Sequence, residues 1–196
     1  MKRKSDIRSY LAVASLVLAI MGGCGSRDTR LPSKESDTVP STSSAPALPE
    51  RSDLIPVGDV APDFEATDHQ GRNVRLGELL KSGRVVLVFY PKDNTPVCTQ
   101  QLCALRDDWS KFQERKVTVL GINPADKDSH AAFASKHSFP FPVLVDQDSR
   151  IASAYGSGGM LFTKRTVYVI DRDGKVLLAE RGVVPHDRIF AVLDRQ

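Results

Sequence analysis

This sequence has little from which a resident cofactor site could be built. Its four histidines, His69, His130, His137 and His186, fall on expected turns and polar helix positions, where they read as surface residues. None stands at metal-ligand spacing with a cysteine. There is no glycine-rich loop of the P-loop or dinucleotide-binding kind, so nucleotide chemistry has no anchor, and no metal or organic cofactor is expected. Internal repeats are absent. The longest apolar run, Leu11 to Met21, falls short of the about 20 residues that cross a bilayer. The net charge of +3 resides at the N-terminus: residues 1–23 hold four of the 27 Lys and Arg but one of the 24 Asp and Glu, leaving 23 of each. A balanced remainder gives no electrostatic case for nucleic-acid binding. Cysteine is also scarce, at three residues, and each can be given a role.

The first is Cys24. Lys2, Arg3, Lys4 and Arg8 form a positive segment, and the apolar run after them has the length of a signal-peptide core. Gly22-Gly23-Cys24 then resembles a bacterial lipobox, with Met21 where Leu is usual. That resemblance implies cleavage before a lipidated Cys24; an ordinary signal peptide or an uncleaved anchor are the alternatives. Residues 1–23 are thus expected to be a signal peptide, and 24–52 a lipidated cysteine with a Ser/Thr/Pro tether. The stretch Thr38 to Pro46 is polar and without apolar period, so it buries too little to offset its ordering entropy. The expected location is outside the cytoplasm, anchored to a bacterial membrane on its periplasmic or cell-surface side. Residues 53–196 suffice for one domain with a sizeable core.

Within that domain, Phe64–Thr67 and Val74–Leu76 read as a β-hairpin about Asp68-His69-Gln70-Gly71. Arg84–Tyr90 is nearly all apolar, as in a strand buried on both faces. Pro96 to about Glu114 reads as a helix with Leu102, Leu105, Trp109 and Phe112 inward. A strand over Val117–Ile122, a helix over Ser129–Lys136, a short extended piece at Phe141–Val145 and a brief helix at Ile151–Tyr155 follow. Thr166–Ile170 and Lys175–Glu180 form a hairpin about Asp173-Gly174, and Pro185–Leu193 a last helix. Alternating strands and helices imply an α/β layered domain with a mixed sheet.

Chemistry concentrates at Tyr90-Pro91-Lys92-Asp93-Asn94-Thr95-Pro96-Val97-Cys98, with Cys103 five residues on. With Thr95 as N-cap and Pro96 as N1, Cys98 is N3, in the first helical turn. Free amides and the partial positive charge there favour thiolate over thiol. A structural disulfide across five residues would stabilise little, whereas Cys103 is near enough to capture an oxidised Cys98. On an intact helix the two side chains point about 140° apart, with a rise of about 7.5 Å between them. A bond between them therefore requires the first turns to unwind. These residues point to a thiol redox enzyme.

The segment Pro91-Lys92-Asp93-Asn94-Thr95-Pro96-Val97-Cys98 resembles the peroxiredoxin active-site pattern. The spacing to Cys103 is similar to that of the bacterioferritin-comigratory, or peroxiredoxin Q, subgroup. Ala61-Pro62-Asp63-Phe64, Phe139 to Asp146 and Lys164 to Asp171 extend the resemblance across the domain. It implies a thioredoxin-like fold with an added N-terminal hairpin, and reduction of hydrogen peroxide and organic hydroperoxides. Cys98 would be the peroxidatic nucleophile and Cys103 the resolving thiol. Thr95 would bond thiolate and peroxide, or cap the helix; Pro91 would wall the pocket; Arg165 would supply the remote cation. A thioredoxin-like or glutaredoxin-like dithiol would re-reduce the disulfide, and the short-range cysteine pair removes any need for a dimer. Val97 departs from the usual Gly, and Asn123-Pro124 from a Ser-containing turn. Two other readings share the fold: a tethered thiol-disulfide oxidoreductase, which would use Cys-x-x-Cys, and a Cu(I)-binding assembly factor, which would use Cys-x-x-x-Cys with a distant His.

Overall fold

The computed structural model describes residues 48–195, all within one compact unit, Ser44–Gln196. Cys24, the signal peptide and most of the tether lie outside the described residues. The domain's contacts begin before residue 53: Leu48 packs against the core, and the Arg51 amide bonds the Ser153 carbonyl at 3.0 Å.

Strands β1 (Glu65–Thr67) and β2 (Asn73–Arg75) pair antiparallel as a separate two-stranded sheet. The Asp68 carboxylate holds their turn by accepting the amides of Gln70 and Arg72, while Gly71, at φ +80°, takes the left-handed position. Helix α1 (Leu76–Ser82) follows. It was not expected, because it is short and buries only Leu76 and Leu80. One of its first-turn amides, that of Gly77, is bonded by Asp63, fourteen residues upstream, a cap that local sequence does not reveal.

Strand β3 (Arg84–Phe89) is the centre of the main sheet. Its side chains alternate between two cores: Val86, Val88 and the following Tyr90 on one side, Val85, Leu87 and Phe89 on the other. Helix α2 (Pro96–Asp107) and helix α3 (Trp109–Glu114) lead to strand β4 (Val117–Asn123), which pairs parallel with β3. The single helix expected from Pro96 to Glu114 is thus two. Asp108 breaks it, with φ −93° and ψ 11°, and its carboxylate meets Lys111 and His186 at 2.7 and 2.6 Å.

Helix α4 (Lys127–His137) is capped by Asp126, whose Oδ1 accepts the Ser129 amide at 2.8 Å, a contact worth about 1 kcal/mol. Strand β5 (Val143–Val145) pairs parallel with β4, and helix α5 (Arg150–Ala154) follows. Strand β6 (Thr166–Ile170) runs antiparallel to β3, and β7 (Val176–Arg181) antiparallel to β6. Helix α6 (His186–Leu193) closes the domain. The sheet order is β5-β4-β3-β6-β7, the mixed α/β arrangement expected from the sequence.

The first core lies between the sheet and α2, α3, α4 and α6; the second takes α1, α5 and the segment around Ile55 to Phe64. The C-terminal end of β3 therefore delivers the chain into the loop before α2, and antiparallel β6 begins beside it, with Phe89 opposite Thr166. That register puts Arg165 next to the first turn of α2.

The candidate active site

Three backbone features make the turn into α2. Asn94 takes a left-handed φ of +55°, Thr95 is extended, and Pro96 starts the helix, where its fixed φ suits N1. The Thr95 carbonyl accepts the Thr99 amide at 2.8 Å, the first bond of the helix. Cys98 is then N3, as expected. Its side chain is only 1% exposed and belongs to the first core, so the nucleophile candidate is shielded from bulk water by the fold itself.

Arg165 stands beside Cys98, at the place expected for the remote cation. Its Nη2 lies 3.1 Å from Cys98 Sγ, within charge-assisted hydrogen-bond range. Its Nη1 donates to Gln101 Oε1. Gln101 is buried and stands three residues after Cys98, on the same helix face. The guanidinium is thus held as a fork, one arm on sulfur and one on the amide oxygen. Sequence reasoning missed Gln101, although its spacing from Cys98 marks it as a neighbour.

Thr95 does not act as a helix cap, and no hydrogen bond joins it to Cys98 among the described residues. Its hydroxyl instead donates to the Lys92 carbonyl at 3.2 Å, closing the active-site loop on itself. Pro91 is half-buried where β3 ends. Val97 projects outward and is 52% exposed, so the bulk that departs from the usual Gly stands at the rim and not in the core.

The loop is anchored from beneath by a residue that had no expected role. Asp93 is buried, and its carboxylate accepts four side-chain donors. Oδ1 takes the Tyr90 hydroxyl and Asn123 Nδ2, each at 2.7 Å; Oδ2 takes the Ser129 hydroxyl and His130 Nδ1, each at 2.8 Å. A carboxylate only accepts, so His130 carries its proton on Nδ1. Burial pushes Asp93 up, but the hydrogen bonds from His130, Tyr90 and Ser129 outweigh it and hold the carboxyl below its ordinary value. Asn123 and Pro124, the other departure, have a use here: Asn123 also accepts the Ala125 amide at 2.6 Å, so the turn after β4 is locked to the active-site loop through Asp93.

None of the four histidines is fully exposed: His130 is buried and the other three are half-buried. His130 is fully buried, and its Nε2 has no hydrogen-bond partner among the described residues. His69 takes the Val143 amide on Nδ1 at 3.1 Å, and burial pushes its pKa down. His186 meets Asp108, and His137 meets Cys103. The three helical histidines meet side chains of other segments because α4 and α6 dock beside the active-site loop and α2, which their local pattern does not reveal. No cluster of three or more His, Cys, Asp or Glu able to hold a metal occurs among the described residues.

Cys103 is half-buried and Cys98 fully buried, and both are free thiols. Both belong to an unbroken α2, with Cys98 toward Arg165 and Cys103 toward α4. A disulfide between them requires α2 to open.

The family model for the AhpC/TSA family matches residues 57–179. The chain is 40% identical over 149 residues to the chloroplastic peroxiredoxin Q of Gentiana triflora, covering 71% of this chain and 68% of that one. To peroxiredoxin Bcp of Bacillus subtilis it is 32% identical over 147 residues, covering 71% and 93%. Among solved structures, peroxidoxin BcpB of Mycobacterium tuberculosis superposes with a TM-score of 0.66 at 36% identity, covering 70% of this chain and 95% of that one. With a buried cysteine at N3 facing an arginine fork on a thioredoxin-like sheet, and these relatives, the chain belongs to the AhpC/TSA family as a thiol-dependent peroxidase of the peroxiredoxin Q and Bcp kind.

Proposed function

We propose that the chain reduces hydroperoxides in a two-cysteine cycle carried by Cys98 and Cys103. The observation that carries the reading is the Arg165 guanidinium 3.1 Å from Cys98 Sγ, with the sulfur in the first turn of α2. Both stabilise negative charge on sulfur. Cys98 thiolate attacks one peroxide oxygen; the O–O bond breaks, and the leaving oxygen departs as water or alcohol after taking up a proton. Arg165 is placed to stabilise charge on the separating oxygens. Rotation of the Thr95 hydroxyl from Lys92 toward the incoming peroxide completes the site.

The resulting sulfenic acid is then attacked by Cys103, giving an intramolecular disulfide and water. A thioredoxin-type dithiol re-reduces it by exchange. Because both cysteines lie on one helix, the cycle closes within a monomer. Half-exposed Val97 gives the rim apolar surface, which favours organic hydroperoxides beside hydrogen peroxide.

The test is rapid-mixing oxidation of the reduced protein by hydrogen peroxide. A fast second-order phase lost in Cys98→Ser, and a sulfenic acid that persists in Cys103→Ser, are expected. Oxidation no faster than that of a free thiol would sink the reading.

The location is part of the same proposal: an exported bacterial lipoprotein anchored through Cys24. The basic segment, short apolar core and Gly22-Gly23-Cys24 support it. Fractionation of cells expressing wild type and Cys24→Ala distinguishes the outcomes. Membrane association lost in the variant is expected; a soluble wild type would refute the anchor.

A further inference from the structure

Cys103 Sγ lies 3.7 Å from Nδ1 of His137, 34 residues away on the last turn of α4. The imidazole is held on both sides. It stacks on Phe139 with centroids 5.6 Å apart and 19° between planes, and meets Phe133 edge-on at 5.1 Å. Arg106 Nη1 donates to the His137 carbonyl at 2.8 Å, tying the later part of α2 to the end of α4. Asp108 adds a second attachment, to His186 of α6. The first turns of α2 are bonded to Arg165 through Cys98 and Gln101, and Cys98 and Leu102 pack in the first core, so oxidation of Cys98 changes a contact at this end of the helix. Opening of the first turns would bring Cys98 to a Cys103 that stays beside His137.

We propose that His137 is a catalytic residue of the resolving step, the general base for Cys103. This rests on the reading of Cys103 as the resolving thiol. Nδ1 accepts the Cys103 proton, and the thiolate attacks Cys98 Sγ. The S–S bond forms as the S–O bond breaks, and the hydroxide leaves as water with a proton from the imidazolium or solvent. Cys103 sulfur is oxidised as Cys98 sulfur is reduced, so the peroxide already consumed is the only oxidant. A weak nucleophile held by an adjacent base is the arrangement that activates thiols elsewhere. Charged groups flank the pair on both helices. Arg106, on α2, is near enough for its charge to interact with Cys103, and its carboxylate partner Asp107 is exposed. Lys136 precedes His137 on α4, and the faces toward Phe133 and Phe139 are apolar.

The experiment follows both phases of peroxide oxidation in the full reduced chain, by Trp109 fluorescence and by acid quench with thiol trapping. His137→Phe keeps the ring stacking and removes the nitrogen; His137→Asn keeps polarity at the position. In both, the fast phase should stay within about twofold of wild type, while disulfide formation slows at least about tenfold at neutral pH. Its rate should then rise with pH through the ordinary free-thiol range, about 8.5, and imidazole added to His137→Ala should restore part of it. Unchanged disulfide formation in both variants, with the wild-type pH profile, would overturn the assignment. A wild type with no Cys103-dependent phase would instead overturn the two-cysteine reading on which it rests.

Discussion

Arg165 holds Cys98 and Gln101 with the two arms of one guanidinium, so the nucleophile and its neighbour one turn later share a single cation. A lysine at that position offers one point charge and cannot span both partners. Arg165→Lys should lower kcat/KM for hydrogen peroxide about 100-fold. Gln101→Leu leaves the charge but frees the arm that aims it, and should cost about 5- to 10-fold, the value of one such hydrogen bond. Pre-steady-state rates of the three proteins check the order. Equal rates for wild type and Gln101→Leu would show that the fork has no role in aiming Arg165.

Asp93 joins β3, β4 and α4 beneath the active-site loop through four donors. Asp93→Asn replaces an acceptor of four bonds by a group that must itself donate. It should destabilise the domain by about 3 kcal/mol, or roughly 10 °C in melting temperature. The carboxyl lies below its ordinary value of 3.8 in the folded state. Its stabilising contribution is therefore complete above that value and is lost as pH falls through the lower, folded one. The gap between wild type and variant should shrink in that acid window. Denaturant unfolding at neutral and acid pH measures it, and a gap that widened on acidification would reverse the assignment of Asp93 as an ionised hub.

Asp146 behaves in the opposite sense. Burial raises it from 3.8 to about 6, against the Ile151 and Ala152 amides, which favour its charged form at 3.0 and 2.9 Å. A raised carboxyl stabilises the fold fully below its unfolded value, and that contribution is lost as pH rises through about 6. The span amounts to about 3 kcal/mol. Carbon NMR of the labelled Asp146 carboxyl should titrate near 6; a midpoint at or below 4 would mean that the two amides win over burial.

Val97 occupies the second position of α2 with its side chain outward. Val97→Gly should weaken the first turn by roughly 0.5 kcal/mol. Opening becomes easier by about twofold, and disulfide formation should accelerate by that factor while the peroxide-dependent phase stays the same. Slower disulfide formation in the variant would mean that opening of this turn is not the limiting event.

The sequence made the nucleophile legible because its determinants are local: a Pro-bounded turn, a helix start and a cysteine in the first turn. Arg165 is 67 residues from Cys98 and was found only through the family resemblance; the antiparallel β3–β6 register is what brings them together. The contacts of Cys103 with His137, of Asp108 with His186 and of Asp93 with His130 depend on how α4 and α6 dock, so these histidines looked like surface residues. Helix α1 was missed for a similar reason, its Gly77 amide being bonded by a distant Asp63. Thr95 shows the converse limit: the motif puts it just before the helix, but its hydroxyl bonds the Lys92 carbonyl, so its orientation follows from the loop, not from the helix it precedes.

In the proposed two-cysteine cycle, the attachment of α2 at Arg106 and Asp108 toward its end and to Arg165 at its start gives the protein a built-in exposure limit. Between formation of the sulfenic acid and opening of the first turn, Cys98 remains in the peroxide-binding geometry while Cys103 remains out of reach. A second peroxide arriving in that interval drives the sulfur to the sulfinic state, from which no thiol recovers it. The free energy of one helical turn thus sets a ceiling on the peroxide concentration the enzyme survives. Residues that take no part in bond making or breaking, such as Val97 and Arg106, become the ones that decide how long each molecule lasts.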